Sequence, residues 1–380
     1  MKRTKVCILQ NGLTRGGTDT FVVNLCKRID KSNFEIVVVN CNNQPKCIVR
    51  EQDVLSQGVK IEHTGDLLGL RNKLMHYWRL YKILKKGKFE FFQTNIDLQN
   101  GPQLLVAKLA GIPVRICHSH NTQQQAEVIN SRSLSLRIYQ NVMRWLCWNC
   151  STRRCGCSEE AMEFLFKGRQ WRQNEYPSVI YNGIDIAHFR KHIDIEAKKS
   201  ELRLSKKKHI LTVGQMVLQK NPEFIVKCIS SYLKKNNDSD FVWIGVGPEK
   251  ERIDKWLVET GMADRFHFLG SRNDVNEVMQ CCDCFFLPSH FEGLGIVMIE
   301  AQAAGLSCVV STAVPPLANC GKVEYVSLDD SYNNWHSAID RAIENKSTIN
   351  EDALQKFSIE NMAKQMTQVF TVKRYENSIC

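Results

Sequence analysis

The amino-acid sequence predicts an α/β protein built from two domains of similar size. At 380 residues the chain is longer than one ordinary domain. Short apolar β-type runs alternate with helix-like segments, which is typical of parallel sheets with crossover helices. The alternation occurs twice, and a polar, charged stretch from Asp185 to Lys208 interrupts it. We therefore expect two α/β domains whose boundary lies near Phe189.

The predicted strands form two series along the chain. The first series is Val6–Leu9, Glu35–Val39, Phe89–Thr94 and Val114–His118. The second series is Ile210–Val213, Phe241–Gly245, Phe266–Leu269, Cys284–Leu287 and Cys308–Val310. The chain then ends in a helical pattern from Ile359 to Phe370, which has no obvious partner strand. Ligands are expected at the carboxyl ends of such strands.

The composition limits the possible classes of protein. No stretch approaches the roughly 18 apolar residues of a membrane span, and the first apolar run stops at Gln10, too early for a signal peptide. We therefore expect a cytoplasmic protein. Its 16 cysteines fit reduced, buried thiols. A structural metal at Cys147, Cys150, Cys155 and Cys157 is the alternative.

The positive charge lies in the first half of the chain. Residues 1–185 hold 27 Lys and Arg against 15 Asp and Glu, whereas the remainder holds 24 against 25. Two stretches concentrate it: Arg71–Lys88 and Ser131–Arg154 carry several basic residues, with Trp and Tyr at helical spacing and no acid. Such faces suit an anionic lipid surface, although their apolar stripes could also pack on the core. No nucleic-acid-binding module is recognisable.

The sharpest motif follows the strand Cys284–Leu287. A loop with Gly293 and Gly295 opens a helix there, so its backbone N–H groups and the helix dipole form a phosphate cradle. Glu292 and Glu300 frame this segment on broadly the same side. An ordinary glycine-rich turn with one capping and one solvated glutamate is the alternative.

Three other strand ends carry candidate groups. Gly16 and Gly17 follow the first strand, but they do not form a GxGxxG motif and could be only a tight turn. His118 ends a later strand, where it could act as a base, bind a sugar hydroxyl or be structural. Lys220 follows the Gly214 loop, where it could neutralise a diphosphate or be an exposed lysine that binds nothing.

Taken together, these segments resemble the retaining glycosyltransferases of family 4, which have the GT-B fold, and in particular the branch of bacterial exopolysaccharide and capsule synthesis. The likeness runs nearly end to end, and the Glu292 to Glu300 segment resembles the specific E-x7-E signature of that family. Supporting segments are Gly16-Gly17 with Asn24, Arg115–Asn121, Cys157–Ala161, Val179–Asp185, Gln219–Pro222 and Phe268–Val275.

The resemblance implies two Rossmann-like domains facing across a cleft. The first, 1–188, would bind the acceptor and would include a final helix within 358–380 that crosses back to it. The second, 189–357, would bind the donor. Glu300 would contact the ribose, whereas Lys220, Gly293, Leu294 and Gly295 would contact the diphosphate. The base would lie against Gly270, Arg272 and Val275.

The resemblance also implies roles for the remaining candidates. Gly16 and Gly17 would close over the phosphates, Glu292 would meet the hydroxyls of the transferred sugar, and His118 would contact sugar or acceptor. His118, Glu292 and Lys220 are thus the catalytic candidates. No metal or other cofactor is implied, since Lys220 and the helix dipole would stabilise the leaving phosphate.

One position departs from the family pattern. The family usually has Arg directly after the glycine of the second-domain loop, where this chain has Gln215. The amide could still bind a donor phosphate, but losing one charge-assisted contact would cost about 1.5–3 kcal/mol. Arg15 or Arg272 could replace the missing charge.

The expected function is transfer of a sugar from a UDP-sugar to a glycan or polyprenyl-diphosphate-linked acceptor, at the inner face of the membrane. Two alternatives remain open. A catalytically degenerate homologue would bind nucleotide sugar or a partner without turnover, and Gln215 is its only support. A sugar-nucleotide epimerase would use the same fold without an acceptor.

Overall fold

The computed structural model describes residues 2–14, 16–121, 134–172, 174–345 and 347–371. Arg15, the start of the basic stretch at Ser131, and the end of the chain after Thr371 lie outside these ranges. The chain divides into two compact units: the residues up to Gly183 with the segment from Ile359, and Ile184–Ser358. The predicted boundary at Phe189 lies at the last residue of the short helix Ile186–Phe189, five residues after the start of the second unit at Ile184.

The first unit is a six-stranded parallel sheet in the order β3-β2-β1-β4-β5-β6. Its strands are β1 Thr4–Gln10, β2 Phe34–Asn40, β3 Lys60–His63, β4 Phe91–Thr94, β5 Val114–Ser119 and β6 Arg153–Gly156. Its helices up to β6 and just beyond are α1 Gly17–Arg28, α2 Glu51–Leu55, α3 Leu70–Gly87, α4 Asn100–Leu109, α5 Leu134–Cys150 and α6 Glu159–Phe166.

Both faces of this sheet are covered. Alternate residues of β1 enter two separate cores, so that Val6 and Ile8 pack on the side of α1, whereas Cys7 and Leu9 pack on the side of α3 and α4. β1 is therefore buried on both faces, as expected for a central strand of a doubly wound sheet.

The second unit repeats this architecture in the order β12-β11-β10-β7-β8-β9. Its strands are β7 Lys208–Val213, β8 Ser239–Ile244, β9 Phe266–Gly270, β10 Cys284–Leu287, β11 Ser307–Ser311 and β12 Val323–Val326. Its helices are α7 Ile186–Phe189, α8 Ile195–Glu201, α9 Pro222–Lys235, α10 Lys250–Glu259, α11 Val275–Gln280, α12 Ile296–Ala303, α13 Tyr332–Glu344 and α14 Glu351–Gln355.

The last described helix, α15 Ile359–Val369, belongs to the first unit. It packs against α1, where Arg28 and Glu360 form an ion pair of 3.1 Å. Met366 is fully buried, and the ring of Phe370 meets that of Phe91. This confirms the expected return of the final helix to the first domain.

None of the helices in the described ranges has the length and apolarity needed to cross a membrane. The fold thus consists of two doubly wound α/β units, and the predicted fold class is confirmed.

Candidate active site

The order of strands locates a crevice in the second unit. The sheet is extended in opposite directions from β7 and β10, so the loops leaving these two strands separate at their carboxyl ends. Open α/β sheets bind ligands at this position. The loops in question are Gly214–Lys220 after β7 and Pro288–Gly295 after β10.

Two glycines let the first loop pass close to its neighbours. A Cβ atom on Gly214 would lie 3.1 Å from Cε of Lys220, so the lysine side chain crosses directly over this glycine. A Cβ atom on Gly245 would lie 2.0 Å from the carbonyl oxygen of Gly214, and Gly245 has φ +145°. Trp243 holds the same carbonyl through an Nε1–H donor at 3.1 Å. The loop is therefore fixed by backbone contacts that no other residue type permits.

Lys220 and Glu292 connect the two loops. The Nζ atom of Lys220 lies 2.6 Å from Oε1 of Glu292, and the side chains are 17% and 7% exposed. The hydroxyl of Ser289 donates to the same carboxylate oxygen at 2.6 Å. The predicted cation and the predicted sugar-binding carboxylate thus form an ion pair.

The second loop leads into α12. Gly293, Leu294 and Gly295 are buried, and Gly295 has φ +75°, which favours glycine at the residue before the helix. The first N–H groups of a helix lack acceptors four residues back and point out of the helix start, although the Met298 N–H here donates to the Gly295 carbonyl at 2.9 Å. Their arrangement beside Lys220 suits an anion. Glu300 lies further along α12 and is partly exposed.

The other residues predicted to contact the donor differ in their exposure and in their hydrogen bonds. Gln215 is exposed beside Gly214, where its amide has access to solvent. Gly270 has φ +66°, and its carbonyl accepts from the N–H of Gly245 at 2.8 Å. Val275 is partly buried at the start of α11.

Arg272 is already engaged in an ion pair. Its Nε and Nη2 atoms lie 2.7 and 2.6 Å from the two carboxylate oxygens of Asp274. Lys198 lies 2.6 Å from the same carboxylate. Arg272 and Lys198 together lower the pKa of Asp274. Arg272 therefore orders the loop after β9 and is poorly placed to supply the charge that Gln215 lacks.

The first unit has its own crevice at the corresponding position, between β1 and β4. A cavity of about 280 Å³ opens there at the carboxyl ends of the strands. Its lining is polar and comprises Gln10, Asn11, Gly16, Gly17, Thr18, Asp19, Asn95, Ile96, Asp97 and Gln99. Gly16 and Gly17 thus reach a cavity, whereas His118 does not line it.

Asp19 organises the loop that carries the two glycines. Its carboxylate accepts from the Thr14 N–H at 2.9 Å, from the Thr14 hydroxyl and from the Gln10 amide. Burial raises the pKa of Asp19, and the hydrogen bonds from Thr14 and Gln10 oppose that rise. The Gly16 N–H in turn donates to the Thr14 hydroxyl at 3.1 Å. Asp19 therefore ties the loop between β1 and α1 to the strand.

His118 and His120 project from the same side of β5 and their rings lie 4.2 Å apart against Phe21. The amide of Gln93 donates to Asn95 Oδ1 at 2.8 Å and reaches His118 Nδ1 at 3.2 Å, so His118 carries its proton on Nε2. His120 Nε2 lies 3.3 Å from the same Asn95 oxygen, which also assigns its proton to Nε2.

Burial keeps both imidazoles neutral. Desolvation lowers the pKa of His118 well below its usual range, with a smaller contribution from His120. Desolvation also lowers the pKa of His120 to about 3, while Asn182 partly offsets this shift. Among the described residues, His118 Nε2 and His120 Nδ1 have no hydrogen-bond partner. The two rings are therefore hydrogen-bonding groups rather than acid–base groups near neutral pH.

Sequence reasoning missed three polar residues that line the first cavity, Asp19, Asn95 and Asp97, and it missed His120, which contacts Asn95 and Asp97. His120 stands at the end of β5, and its N–H donates to Asp97 Oδ1 at 2.8 Å. The available signal was the HSHN segment, whose alternation puts His118 within the strand and His120 at its end. The described residues contain no cluster of three or more His, Cys, Asp or Glu able to hold a metal, so the four cysteines from Cys147 to Cys157 form none.

Family sequence models match both units. The model described as Glycosyltransferase Family 4 matches residues 15–188, and the model described as Glycosyl transferases group 1 matches residues 194–359. Between them they span most of the chain.

Individual relatives point the same way. A Bacillus subtilis (strain 168) protein assigned to the glycosyltransferases as EpsF is 29% identical over 343 residues, which is 89% of this chain and 87% of the relative. An Escherichia coli UDP-Gal:alpha-D-GlcNAc-diphosphoundecaprenol alpha-1,3-galactosyltransferase is 32% identical over 243 residues. That match spans 61% of this chain and 60% of the galactosyltransferase.

Solved structures share the fold. The Anabaena Alr3699/HepE structure in complex with UDP has a TM-score of 0.77 and 15% identity, covering 96% of this chain and 99% of that one. The structure of WaaG, a glycosyltransferase of lipopolysaccharide biosynthesis, has a TM-score of 0.70 and 12% identity, covering 96% and 99%.

Proposed function

The chain belongs to the family-4 glycosyltransferases, and from that premise we propose that it transfers a sugar from a UDP-sugar to a polyprenyl-diphosphate-linked glycan in exopolysaccharide or capsule synthesis. The observation that carries the proposal is the Lys220–Glu292 pair at the start of α12. The pair lies beside the start of α12, so a cation, a carboxylate and helix N–H groups stand together at the switch point of the second sheet. A diphosphate with an attached sugar requires these three kinds of partner.

We assign the donor to the second unit. The diphosphate would bind the N–H groups around Gly293–Gly295 and the ammonium of Lys220, while Glu300 would bind the ribose hydroxyls. Gly270 and Val275 would border the base, and the exposed Gln215 amide would reach a phosphate oxygen. We remove Arg272 from direct donor contact, because Asp274 already occupies its guanidinium. Arg15 lies outside the described residues, and its contribution stays a hypothesis.

We assign the polar cavity of the first unit to an acceptor sugar. Among the residues that the structure describes, its lining includes two carboxylates, Asp19 and Asp97, and no basic side chain. This composition suits hydroxyl donors better than a phosphate. Contact of Gly16 and Gly17 with the donor phosphates stays a hypothesis. His120, at the end of β5, replaces the fully buried His118 as the residue we propose to contact sugar.

The proposed reaction is a front-face substitution. The acceptor oxygen bonds to the anomeric carbon as the bond from that carbon to the phosphate oxygen breaks on the same face. The acceptor proton passes to a phosphate oxygen of the leaving UDP. Lys220 and the helix dipole stabilise the charge that develops on that UDP. Glu292 would orient the transferred sugar, and the scheme uses no protein nucleophile, metal or other cofactor.

A membrane location follows from an acceptor of this kind. We propose that the protein acts at the inner face of the membrane, with its basic first unit attracted to anionic lipid. The name of the Escherichia coli galactosyltransferase relative gives a diphosphoundecaprenol-linked sugar as its acceptor. A nucleic-acid partner is not proposed.

The test is a transfer assay with purified protein, a panel of UDP-sugars and a polyprenyl-diphosphate-linked sugar, in the presence of EDTA. We expect an extended lipid-linked product, UDP release that depends on acceptor, and retained anomeric configuration by NMR. Lys220→Met should abolish the product, whereas Lys227→Met, on an exposed face of α9, should not.

The two alternatives give different results in the same assay. Binding of UDP without any product or UDP release would support a degenerate homologue, for which Gln215 is the structural argument. A changed sugar nucleotide formed without acceptor would identify an epimerase. Loss of the product with EDTA would contradict the metal-independent scheme.

A further inference from the structure

The polar stretch between the two predicted domains packs against the donor site. It runs from Asp185 to Lys208 within the second unit and contains α8. α8 packs against α11, the helix that follows the loop Gly270–Val275. The amide of Asn276, on α11, also donates to the His188 carbonyl of this stretch at 3.1 Å. The stretch therefore supports the loop that we assign to the base of the donor.

Lys198 is the cation at the centre of this contact. Its ammonium lies 2.6 Å from Asp274 Oδ2 and 2.9 Å from Glu277 Oε2, which belong to the residue before α11 and to its first turn. It also lies 3.0 Å from Glu201 Oε2, on α8 itself. The Lys198 side chain is 11% exposed. One lysine thus connects α8, α11 and the end of the loop Gly270–Val275.

The charge balance of this cluster depends on Lys198. Arg272 is the second cation, because it binds both oxygens of Asp274 and lies 3.4 Å from Glu201. Two cations thus face three carboxylates, which lie close together since they share one ammonium. Without Lys198 a single guanidinium would face all three carboxylates, and their repulsion would favour a shift of Asp274 away from α11 and α8.

The same loop borders the glutamate that we assign to the ribose. α11 packs against α12, the helix that carries Glu300, so a base on that ribose would meet the loop before α11. At its other end the Gly270 carbonyl accepts from the Gly245 N–H at 2.8 Å. Arg272 and Asp274 bind each other, so the loop is left to meet the base with its peptide groups.

Peptide groups can select a base only while their positions are fixed. Uracil presents one N–H donor between two carbonyl acceptors, whereas guanine presents adjacent N–H donors beside one carbonyl. A site that matches the first pattern rejects the second because polar groups would stay unpaired. A loop free to shift would lose this discrimination, so the residues that hold the loop contribute to selectivity.

We propose that Lys198 is a positioning residue that sets the base selectivity of the donor site. It holds Asp274 against α8 and so fixes the peptide groups between Gly270 and Val275, without touching the nucleotide itself. The inference rests on the proposed function for the location of the base. It adds to that function a specificity-determining residue from the stretch that sequence reasoning treated only as a domain boundary.

The experiment is titration calorimetry of the full chain with UDP and with GDP. We expect wild type to prefer UDP, and Lys198→Met to weaken UDP binding about tenfold while GDP binding changes little, so that the preference is largely lost. Lys198→Arg should retain the preference, because it keeps the charge. Lys199→Met removes the same charge one residue further along α8 and should bind like wild type.

A kinetic readout separates positioning from a merely structural role. In the transfer assay Lys198→Met should raise KM for the UDP-sugar about tenfold and leave kcat within about twofold, since the contacts of Lys220 with the diphosphate remain. Asp274→Asn keeps the side-chain shape but removes the shared charge, so it should also reduce the preference for UDP. That variant carries the test if Lys198→Met does not fold.

Three results would overturn the inference. The first is a wild-type preference for UDP that both Lys198→Met and Asp274→Asn retain, even with lowered stability in urea. The second is an equal loss of UDP affinity in Lys198→Met and Lys199→Met. The third is failure of wild type to bind either nucleotide, which would overturn the donor-site assignment together with the inference, whereas the first two leave that assignment intact.

Discussion

The ion pair between Lys220 and Glu292 leads to a prediction of opposite effects on UDP affinity. The ammonium of Lys220 lies 2.6 Å from the Glu292 carboxylate, so a diphosphate that binds this lysine has to compete with that carboxylate. Lys220→Met should weaken UDP binding at least tenfold, since a charged hydrogen bond contributes about 1.5–3 kcal/mol. Glu292→Gln should tighten UDP binding several-fold, because it releases the lysine.

The same pair should couple in unfolding free energy. At 2.6 Å and an effective dielectric constant of about 20, the attraction is about 6 kcal/mol, but removing the 7% exposed carboxylate from water offsets most of it. We expect Lys220→Met to destabilise by about 2 kcal/mol, and a double-mutant cycle with Glu292→Gln to give a coupling of about 1–2 kcal/mol. Urea unfolding of the four proteins measures both quantities.

A matched pair provides the control for burial. Lys227 and Glu223 on α9 also lie 2.6 Å apart, but their side chains are 44% and 50% exposed. The double-mutant cycle on that pair should give a coupling of about 0.5 kcal/mol or less.

Titration calorimetry with UDP and with a UDP-sugar completes the test, because Glu292→Gln should weaken binding only of the sugar-bearing ligand. If Glu292→Gln weakened UDP as much as Lys220→Met does, the competition between carboxylate and diphosphate would be refuted.

Three further predictions concern the two crevices. Gly245→Ala should abolish UDP binding and lower the free energy of unfolding by at least 2 kcal/mol, because its Cβ would lie 2.0 Å from the Gly214 oxygen. The control Gly261→Ala, whose Cβ would have no atom within 4 Å, should cost about 1 kcal/mol in urea unfolding. Gln215→Arg should tighten UDP binding about tenfold by calorimetry, and unchanged affinity would mean that this side chain does not reach a phosphate. Because the pKa values of His118 and His120 are lowered in the folded protein, the unfolded chain takes up protons first as the pH falls below about 6.5. The free energy of unfolding should therefore decline by about 1.4 kcal/mol per pH unit for each histidine, and for His120 this decline should continue down to a pH of about 3. Urea unfolding between pH 7 and 5 measures that slope, which should be smaller in His120→Gln, while a rise in stability toward pH 5 would contradict the neutral assignment.

The strands that sequence reasoning found are the buried ones. β1, β7 and β10 are continuous apolar runs because helices cover both of their faces, and such runs are visible without a partner. The series of predicted strands omitted β3, β6 and β12, which lie at edges of the two sheets. Their sequences, KIEH, RRCG and VEYV, are half polar and short, because an edge strand has only one neighbour and more contact with water.

The candidate site was predictable in its loops but not in its pairings. The E-x7-E segment and Lys220 could be identified from glycines and charge after a strand. Their ion pair could not, because the two residues are far apart in the sequence and meet only through the order of strands. The same reason concealed Asn95 and Asp97, which join Asp19 only once β4 lies beside β1.

His118 illustrates a limit of a different kind. A histidine at a predicted strand end looks accessible, but β5 extends to Ser119, so His118 faces the core and His120 takes the end position. Strand ends are uncertain by a residue or two from sequence, and His118 and His120, two residues apart on one face, are both buried.

The most direct test of the donor site is thermal stabilisation of the purified protein by UDP, with GDP and ADP alongside and no added metal. A bound nucleotide raises the melting temperature by mass action. We expect a shift with UDP that exceeds those with GDP and ADP and disappears in Glu300→Ala. No shift with any of the three nucleotides, or an equal UDP shift in Glu300→Ala, would contradict the assignment of the second unit as the donor site.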